Sequence, residues 1–240
     1  MAYLGRGKLG KWLESHYFPI KKYPGRISVM FEWIQNNLSP GSVVLDCGAG
    51  RGQVSYSLGN NVNKVVGIDL IDKVLKNPNL DEAHVCDAVN TPFGDNVFDS
   101  IFSIMVLEHI KNPRVFLQEM YRILKPGGSF YFITPNSYHY FVQISRIVNE
   151  RIARIIQKKR GLIEEDHFPT FYHLNSPKLI RRLGAELDFN SVELRFYEGA
   201  DVVTYFPTLL KPIAIIYAKL VNHIPFLYIF KAIIIGKLTK

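Results

Sequence analysis

The sequence predicts an α/β fold with a mostly parallel sheet, and three observations carry this prediction. The run 43–52 passes from apolar residues to an acid and then to alternating glycines, which is typical of a buried strand that ends in a ligand-binding turn. Two further apolar runs also carry an acid at the strand end: Asp69 is the last residue but one of 64–70, and Asp87 follows 83–86. The run 98–107 is apolar on both faces, as expected of a central parallel strand.

The other elements alternate with these strands, as parallel connections require. Apolar residues at helical spacing predict a helix over 27–38, which 39–41 (Ser-Pro-Gly) ends. The remaining predicted elements are, in order, a helix over 53–58, a helical turn within 71–80, a helix over 113–124 stopped by 125–128, a strand over 129–135, a helix over 178–187, a strand over 191–197, a helix over 212–223 and a last strand over 231–238.

Composition sets the broad class of the protein. A chain of 240 residues that is 48% apolar and 21% charged fits one globular α/β domain carrying an insertion. Cys47 and Cys86 give no disulfide framework, and the N-terminus lacks the apolar core of a signal peptide, so we expect a reducing cytoplasm. The net charge of +8 favours an anionic partner, such as a lipid headgroup, a phosphorylated substrate or RNA.

The glycines of the first turn indicate a backbone that a ligand approaches closely. Gly48, Gly50 and Gly52 lack a Cβ, so they permit unusual φ values and let a ligand lie on the chain. Their Gly-x-Gly-x-Gly spacing is tighter than the Gly-x-Gly-x-x-Gly of dinucleotide folds, which disfavours a nicotinamide oxidoreductase. Asp69 follows about twenty residues later, where nucleotide-binding α/β folds place the carboxylate that accepts both ribose hydroxyls. The glycine turn and Asp69 together predict a ligand that contains adenosine, with no phosphate on the ribose 2′ position.

Taken together, these motifs resemble the class I S-adenosylmethionine-dependent methyltransferases, in particular the small-molecule and quinone-type subgroup. The resemblance continues with Leu-Glu-His-Ile at 107–110, Arg-Ile-Leu-Lys-Pro-Gly-Gly at 122–128 and Thr-Pro-Asn at 134–136, and it resumes at 172–177. It implies a Rossmann-like methyltransferase fold with a seven-stranded, mostly parallel sheet, an antiparallel last strand and a helical lid insertion. S-adenosylmethionine is the implied cofactor.

The resemblance also implies roles for individual residues. Asp87 would hydrogen-bond the adenine amine, and the N–H of Ala88 would meet the ring. If the acceptor is a hydroxyl, His109 is the candidate general base, although a histidine that only packs there is an equal alternative. Tyr138, His139 and His173 flank the predicted lid and are candidate substrate residues. The cofactor-binding candidates are Asp46, Gly48, Ala49, Gly50, Gly52, Asp69, Leu70, Asp87, Ala88 and Ser103.

Two departures from related motifs argue against a metal site and against nucleic-acid bases as the methyl acceptor. Some quinone-type relatives hold a divalent ion with Glu-x-x-Glu-His, but here Met105 stands in the first position. A thioether suits a hard divalent ion poorly, so we predict no metal site. The Asn-Pro-Pro-Tyr motif of amino-group methylation on bases is also absent, which disfavours nucleic-acid adenine or cytosine as the acceptor.

The predicted organisation is a single methyltransferase domain over 1–240. Within it, 1–26 forms an N-terminal arm, 137–171 a lid insertion with a basic helical face, and 201–230 an apolar helical segment before the last strand. The apolar segment contains lysines, so no uncharged run reaches the length of about 18 residues that a spanning helix needs.

The helix in that segment has two compatible interpretations. It packs internally before the last strand, or residues 209–230 contact a membrane surface. In the second case Lys211 and Lys219 lie near headgroups, and five side chains enter the acyl boundary: Ile213, Ile215, Ile216, Tyr217 and Leu220.

The leading functional hypothesis is methyl transfer from S-adenosylmethionine to a small-molecule, glycan or lipid-like acceptor, most plausibly at oxygen. The alternatives are an RNA methyltransferase, which lacks a recognisable RNA-binding module, and a membrane-associated protein that binds S-adenosylmethionine without catalysis. The expected location is cytoplasmic, with peripheral attachment at the inner face of the membrane as an option. The sequence does not indicate an oligomeric state.

Overall fold

The structure is a computed structural model that describes Trp12, Val54 and the ranges 15–19, 24–52, 57–147, 168–203 and 211–240. In these residues seven strands form one sheet in the order β3-β2-β1-β4-β5-β7-β6. The strands are β1 (Ser42–Cys47), β2 (Val62–Asp69), β3 (Glu82–Val85), β4 (Phe98–Ile104), β5 (Leu124–Pro135), β6 (Ser191–Tyr197) and β7 (Ile233–Thr239).

The sheet is parallel from β3 to β5 and antiparallel at its last strand. Gly127 N–H donates to Lys240 O (2.9 Å) and Lys240 N–H donates to Gly128 O (3.0 Å), so β5 starts beside the residue that follows β7. This confirms the predicted mostly parallel sheet with an antiparallel last strand. Because β1 to β4 run parallel, their carboxyl ends share one edge, at or near which the predicted cofactor-binding residues lie.

Helices alternate with the strands and bury apolar faces. The helices are α1 (Arg26–Gln35), α2 (Pro113–Ile123), α3 (Tyr140–Ile147), α4 (Pro177–Glu186), α5 (Ala200–Val203) and α6 (Lys211–His223), with 3-10 helices at Asp72–Lys76, Leu107–His109 and Pro225–Phe230. Local signals set the helix starts: α2 and α4 begin with proline, and the Ser176 hydroxyl accepts the Leu179 N–H (3.5 Å) to cap α4.

The chain divides into two compact units. The sheet unit comprises 26–134, 171–195 and 234–240, and the helical unit comprises 1–25, 135–170 and 196–233. In the sheet unit the strands bury continuous apolar runs, and Phe31 of α1 packs edge-on against Phe102 of β4 (centroids 5.1 Å apart). In the helical unit a small core joins α5 and α6, and its members are Phe18, Val203, Ala214, Ile215 and Ala218.

The predicted helix over 53–58 is wrong for Val54, Ser57 and Leu58, which are not helical; residues 53, 55 and 56 lie outside the described part. The Val54 carbonyl, which a helix would bond to the N–H four residues on, instead accepts Asn79 Nδ2 (3.4 Å). A six-residue segment gains too little from helix formation to resist such a competing bond.

The C-terminal predictions are confirmed as elements: α6 covers the predicted helix, and β7 is the antiparallel last strand. The side chains predicted to face a membrane need correction, because Lys211 is 2% exposed and Ile215 is 5% exposed. Both lie on the inner face of α6, which the apolar sequence alone did not distinguish from the outer face. Among the described residues, no helix combines the length and apolar character needed to cross a bilayer.

The arm and the lid insertion stay predictions for most of their length. The described part of the lid is 137–147 and 168–171, so its basic run at 151–160 lies outside the described residues, as do 1–11 of the arm. In α3, which begins the lid, Phe141 and Ile144 are 42% and 53% exposed, whereas Val142 is buried.

Candidate functional site

The glycine loop follows β1 and is held tightly to the neighbouring strand. Gly48, Gly50 and Gly52 all have positive φ (85°, 52° and 76°), which residues with a Cβ rarely adopt. The N–H groups of Gly48 and Ala49 both donate to Ile68 O of β2 (2.8 and 3.0 Å). The backbone itself therefore fixes the loop at the carboxyl edge of the sheet.

The two sides of this loop differ in the space they leave. A Cβ on Gly48 would lie 2.3 Å from Val106 Cγ2, so this glycine is required for close packing beneath the loop. A Cβ on Gly50 would meet nothing within 4 Å, so the space beside Gly50 is open. The loop is thus packed at its first glycine and accessible at its second.

Asp69 joins the end of β2 to the glycine loop. Its Oδ2 accepts the N–H of Gly50 (3.0 Å) and its Oδ1 accepts the N–H of Ile71 (3.1 Å). A carboxylate has about four acceptor sites, so both oxygens keep capacity for a ligand. The predicted ribose-binding carboxylate is therefore fixed in orientation beside the open glycine.

Asn77 is a loop-positioning residue that the sequence analysis missed. It is 6% exposed, its Nδ2 donates to Ala49 O (3.0 Å), and its Oδ1 accepts the Asn79 N–H (3.0 Å). A Cβ on Gly52 would lie 2.4 Å from Asn77 Oδ1, so the side chain lies against the loop. Because asparagine in a loop carries no periodic signal, only the structure shows this role.

The other predicted cofactor residues occupy neighbouring strand ends. Asp46 is buried in β1 between Gly67 and Phe102, its register partners on the two adjoining strands. Asp87 is exposed after β3, where its Oδ1 accepts the Val89 N–H (3.0 Å). The Cys86 N–H donates to Asp69 O (3.0 Å), so this third strand end adjoins the second.

Three predicted residues differ in exposure. Leu70 is 57% exposed beside Asp69, and Ala88 is half-buried. Ser103 is fully buried within β4, and its hydroxyl has no hydrogen-bond partner in the described part of the chain.

The chain turns sharply where β4 ends. Met105 has φ 58°, a rare conformation for a residue with a side chain, and the 3-10 helix Leu107–His109 follows. Val106, which lies against Gly48, links this turn to the glycine loop. His109 is half-buried, and its N–H donates to Val106 O (2.9 Å), so it lies at the predicted strand end.

Glu108 is the second residue whose importance the sequence analysis missed, since there it counted only as part of an incomplete metal motif. It is 4% exposed, and burial raises its pKa to about 7, against the smaller opposing effects of its hydrogen bonds and of the Arg26 charge. The Thr134 hydroxyl donates to Glu108 Oε2 (3.3 Å) and in turn accepts Asn175 Nδ2 (2.6 Å). A carboxyl group that titrates near neutrality therefore lies at this strand end.

The loop before α4 is bonded to the same residue. Phe171 and Tyr172 N–H groups both donate to Glu108 O (2.8 and 3.1 Å). His173 follows, and it is exposed with its Nδ1 paired to Lys111 O (2.9 Å). In the residues that the structure describes, no group of three or more His, Cys, Asp or Glu side chains could hold a metal ion.

The remaining substrate candidates lie in the helical unit. Tyr138 is half-buried, and its N–H donates to Asn136 Oδ1 (3.0 Å). His139 is buried, and burial lowers its pKa to about 4. Its ring contacts those of Tyr140 and Tyr217, with centroids 4.3 and 5.2 Å away.

Comparison with known proteins shows which family part of the sheet unit resembles. Residues 45–132, from β1 into β5, match the family model described as a methyltransferase domain. This part of the chain is therefore similar to the class I methyltransferases. Its fold is also that of a solved S-adenosylmethionine-dependent methyltransferase from Archaeoglobus fulgidus, with a TM-score of 0.56 at 14% identity, covering 92% of this chain and 97% of that one.

Two curated relatives match part of the chain. The mitochondrial ubiquinone biosynthesis O-methyltransferase of Rattus norvegicus is 33% identical over 131 residues, which is 49% of this chain and 38% of that protein. A probable tRNA methyltransferase 9B of Homo sapiens is 40% identical over 95 residues, which is 37% of this chain and 20% of that protein. The chain thus spans well under half the length of these relatives.

The residues of the loop fit the cofactor of this family. The family match supports S-adenosylmethionine as the cofactor of the methyltransferase domain. The open side of Gly50 leaves room for a ligand against the backbone, and the oriented Asp69 carboxylate offers acceptors for ribose hydroxyls. The exposed Leu70 follows Asp69, and the exposed Asp87 lies at the adjoining strand end, where the adenine was predicted.

Proposed function

We propose that this chain transfers a methyl group from S-adenosylmethionine to an oxygen atom of a small-molecule or lipid-like acceptor. The observation that carries the proposal is the hydrogen bond from the Gly50 N–H to the Asp69 carboxylate (3.0 Å). It joins the glycine loop to the predicted ribose-binding acid, within the part of the chain that matches a methyltransferase domain. The ubiquinone biosynthesis relative supports a quinone-like, hydroxyl-bearing acceptor.

The reaction needs alignment more than covalent catalysis. The cofactor supplies a methyl group on a positively charged sulfur, which an acceptor atom attacks in line. Holding the two reactants in line can contribute on the order of 7–11 kcal/mol in the best systems. In this chain Asp69 and the glycine loop orient the nucleoside, and Val106 and Asn77 hold the loop in place.

Two neighbouring residues are candidates to take the acceptor's proton. We propose His109 as the general base, which contributes a factor of about 10² to 10⁴ when it acts on a hydroxyl. Glu108 is the competing candidate, because a carboxyl group with a pKa of about 7 can accept a proton at neutral pH. His109→Ala and Glu108→Gln, assayed separately on the same acceptor, distinguish them: the base is the residue whose loss lowers turnover by at least 100-fold.

RNA methylation is the second candidate function, favoured by the tRNA methyltransferase relative and the net charge of +8. Transfer of radiolabelled methyl groups from S-adenosylmethionine to a lipid extract, a quinol mixture and total tRNA tests both. Label in the lipid or quinol fraction supports our proposal. Label confined to tRNA replaces it with the second candidate.

Cofactor binding tests the site independently of the acceptor. Calorimetry with S-adenosylmethionine should show binding to the wild type and a loss of about 10- to 100-fold in Asp69→Asn, because hydrogen bonds to a charged acceptor are worth about 1.5–3 kcal/mol. Asp81→Asn is the matched control, since Asp81 Oδ2 also accepts a backbone N–H, that of Val65 (2.7 Å) within β2, away from the glycine loop. Equal affinity in both variants, or tight binding of NAD alone, would refute the site.

A further inference from the structure

The segment from α6 to the 3-10 helix Pro225–Phe230 exposes an unusual number of large apolar side chains. Three come from α6 and three from the 3-10 helix, and their exposed fractions range from 38% for Phe230 to 74% for Phe226. We name them the C-terminal apolar surface, which consists of Ile213, Ile216, Leu220, Phe226, Tyr228 and Phe230.

The α6 helix is apolar on two opposite faces. Ala214, Ile215 and Ala218 are buried in the core of the helical unit. Ile213, Ile216 and Leu220 recur three and four residues apart, so they share the other face, where they are 66%, 60% and 46% exposed. A helix on the surface of a soluble protein normally carries polar residues on its outer face. We therefore expect the outer face of α6 to contact an apolar environment.

The length of α6 determines whether it could cross a bilayer or only lie at the bilayer surface. Its 13 residues span about 20 Å at 1.5 Å per residue, whereas the hydrocarbon core of a bilayer is about 30 Å thick. A helix of this length with an apolar outer face fits the boundary between headgroups and acyl chains. Aromatic residues such as Phe226, Tyr228 and Phe230 also suit that boundary.

The charge of the segment favours lipids with anionic headgroups. Residues 202–230, which include this surface, contain two lysines and no aspartate or glutamate; Lys211 is buried and Lys219 is exposed. Lys219 is exposed on α6 between Ile216 and Leu220 in sequence, and its Nζ lies 4.3 Å from the centroid of the Tyr17 ring. An apolar surface that carries an exposed lysine and no acids complements anionic headgroups.

We propose that the C-terminal apolar surface docks this chain on a bilayer that contains anionic lipids. A second copy of the chain fits the surface less well, because a two-fold interface places the same patch opposite itself. The exposed Lys219 of each copy would then lie in the same interface, with no acid in residues 202–230 to offset its charge. The proposal concerns attachment and does not depend on methyl transfer.

Flotation with vesicles tests the proposal on the full chain. We expect the wild type to float with phosphatidylcholine vesicles that contain phosphatidylglycerol, and Ile216→Asn/Phe226→Asn to bind at least tenfold less. Val115→Asn is the matched control, because Val115 is also exposed (45%) but lies on α2, outside the surface, and its binding should equal that of the wild type. Thermal unfolding of each variant establishes that it is folded.

The charge of the headgroup provides a second comparison. Binding should fall several-fold on pure phosphatidylcholine vesicles, in high salt, and in Lys219→Gln on the anionic vesicles. Wild type that does not float, or a folded double variant that floats as well as the wild type, overturns the proposal. So does a wild-type dimer in sedimentation that the double variant abolishes, if vesicles recover neither protein, because the surface then binds a second copy.

Discussion

His139 Nε2 lies 3.8 Å from Glu198 Oε2, and the two side chains are only 1% and 3% exposed. His139 Nδ1 accepts the N–H of Phe141 (3.3 Å), so the neutral ring carries its proton on Nε2, toward the carboxylate. Glu198 Oε2 also accepts the N–H of Ala232 (2.8 Å). His139, which directly precedes α3, thus lies against Glu198 before α5, and the same carboxylate bonds the residue that precedes β7.

The burial of His139 predicts a loss of stability in mild acid. Histidine ordinarily has a pKa of about 6.5, and burial lowers that of His139 to about 4. Below pH 6.5 the unfolded chain binds a proton that the folded protein excludes, so the free energy of unfolding falls as pH falls toward 4. The difference amounts to about 3 kcal/mol. Urea unfolding of His139→Gln at several pH values should lack this fall; the same fall in both proteins would contradict the assignment.

Glu108 predicts the opposite dependence. Its pKa rises from 4.5 to about 7 in the folded protein, which therefore holds a proton that the unfolded chain has lost. The stability from Glu108 is fully present below pH 4.5 and is lost as pH rises through 7, by about 3 kcal/mol. Relative to the wild type, Glu108→Gln should therefore gain stability as pH rises from 4.5 to 7 in the same urea experiments. A difference that does not vary with pH would show that Glu108 titrates normally.

The contact between Gly48 and Val106 predicts a coupled pair of variants. Gly48→Ala places a Cβ 2.3 Å from Val106 Cγ2 at φ 85°, so it should destabilise the protein and weaken S-adenosylmethionine binding. Val106→Ala removes the Cγ atoms and should restore part of both losses, with a coupling energy on the order of 1–2 kcal/mol in a double-mutant cycle. Additive effects of the two changes would mean that the atoms do not meet.

Asn77 predicts a loss of cofactor affinity from a residue outside the glycine motif. Asn77→Ala removes the bond to Ala49 O, so we expect binding of S-adenosylmethionine to weaken about fivefold or more, in line with a hydrogen bond worth about 1 kcal/mol. Asn61→Ala is the control, because Asn61 Nδ2 donates to Leu38 O (3.0 Å) at the opposite edge of the sheet. Calorimetry checks both variants, and equal affinities would exclude a role in holding the loop.

Features that depend on local sequence could be predicted. The glycine loop and Asp69 lie at the ends of apolar runs, so the sequence shows both their chemistry and their place at the strand ends. The strand β7 is itself a recognisable apolar run. Contacts between distant segments could not be predicted. Asn77 reaches a loop 28 residues earlier, and Glu108 acquires its environment from Thr134 and Asn175.

The sequence also could not predict which face of α6 is buried. All its faces are apolar enough to be buried, so hydrophobic spacing could not show that Ile215 points inward and Ile216 outward. Lys211 is buried despite its charge, which reverses the expectation for an exposed lysine. Tertiary packing, rather than periodicity, determines which residues remain available to a membrane.

The position of β7 between β5 and β6 affects how the protein must be made. On a ribosome, β6 emerges before the only strand it pairs with among the described residues, and β5 has one edge uncovered until the same moment. Chains halted before residue 233 would display the backbone of β5 to any extended peptide nearby, which is a route to aggregation. Completion of the sheet therefore has to wait until β7 has been synthesised.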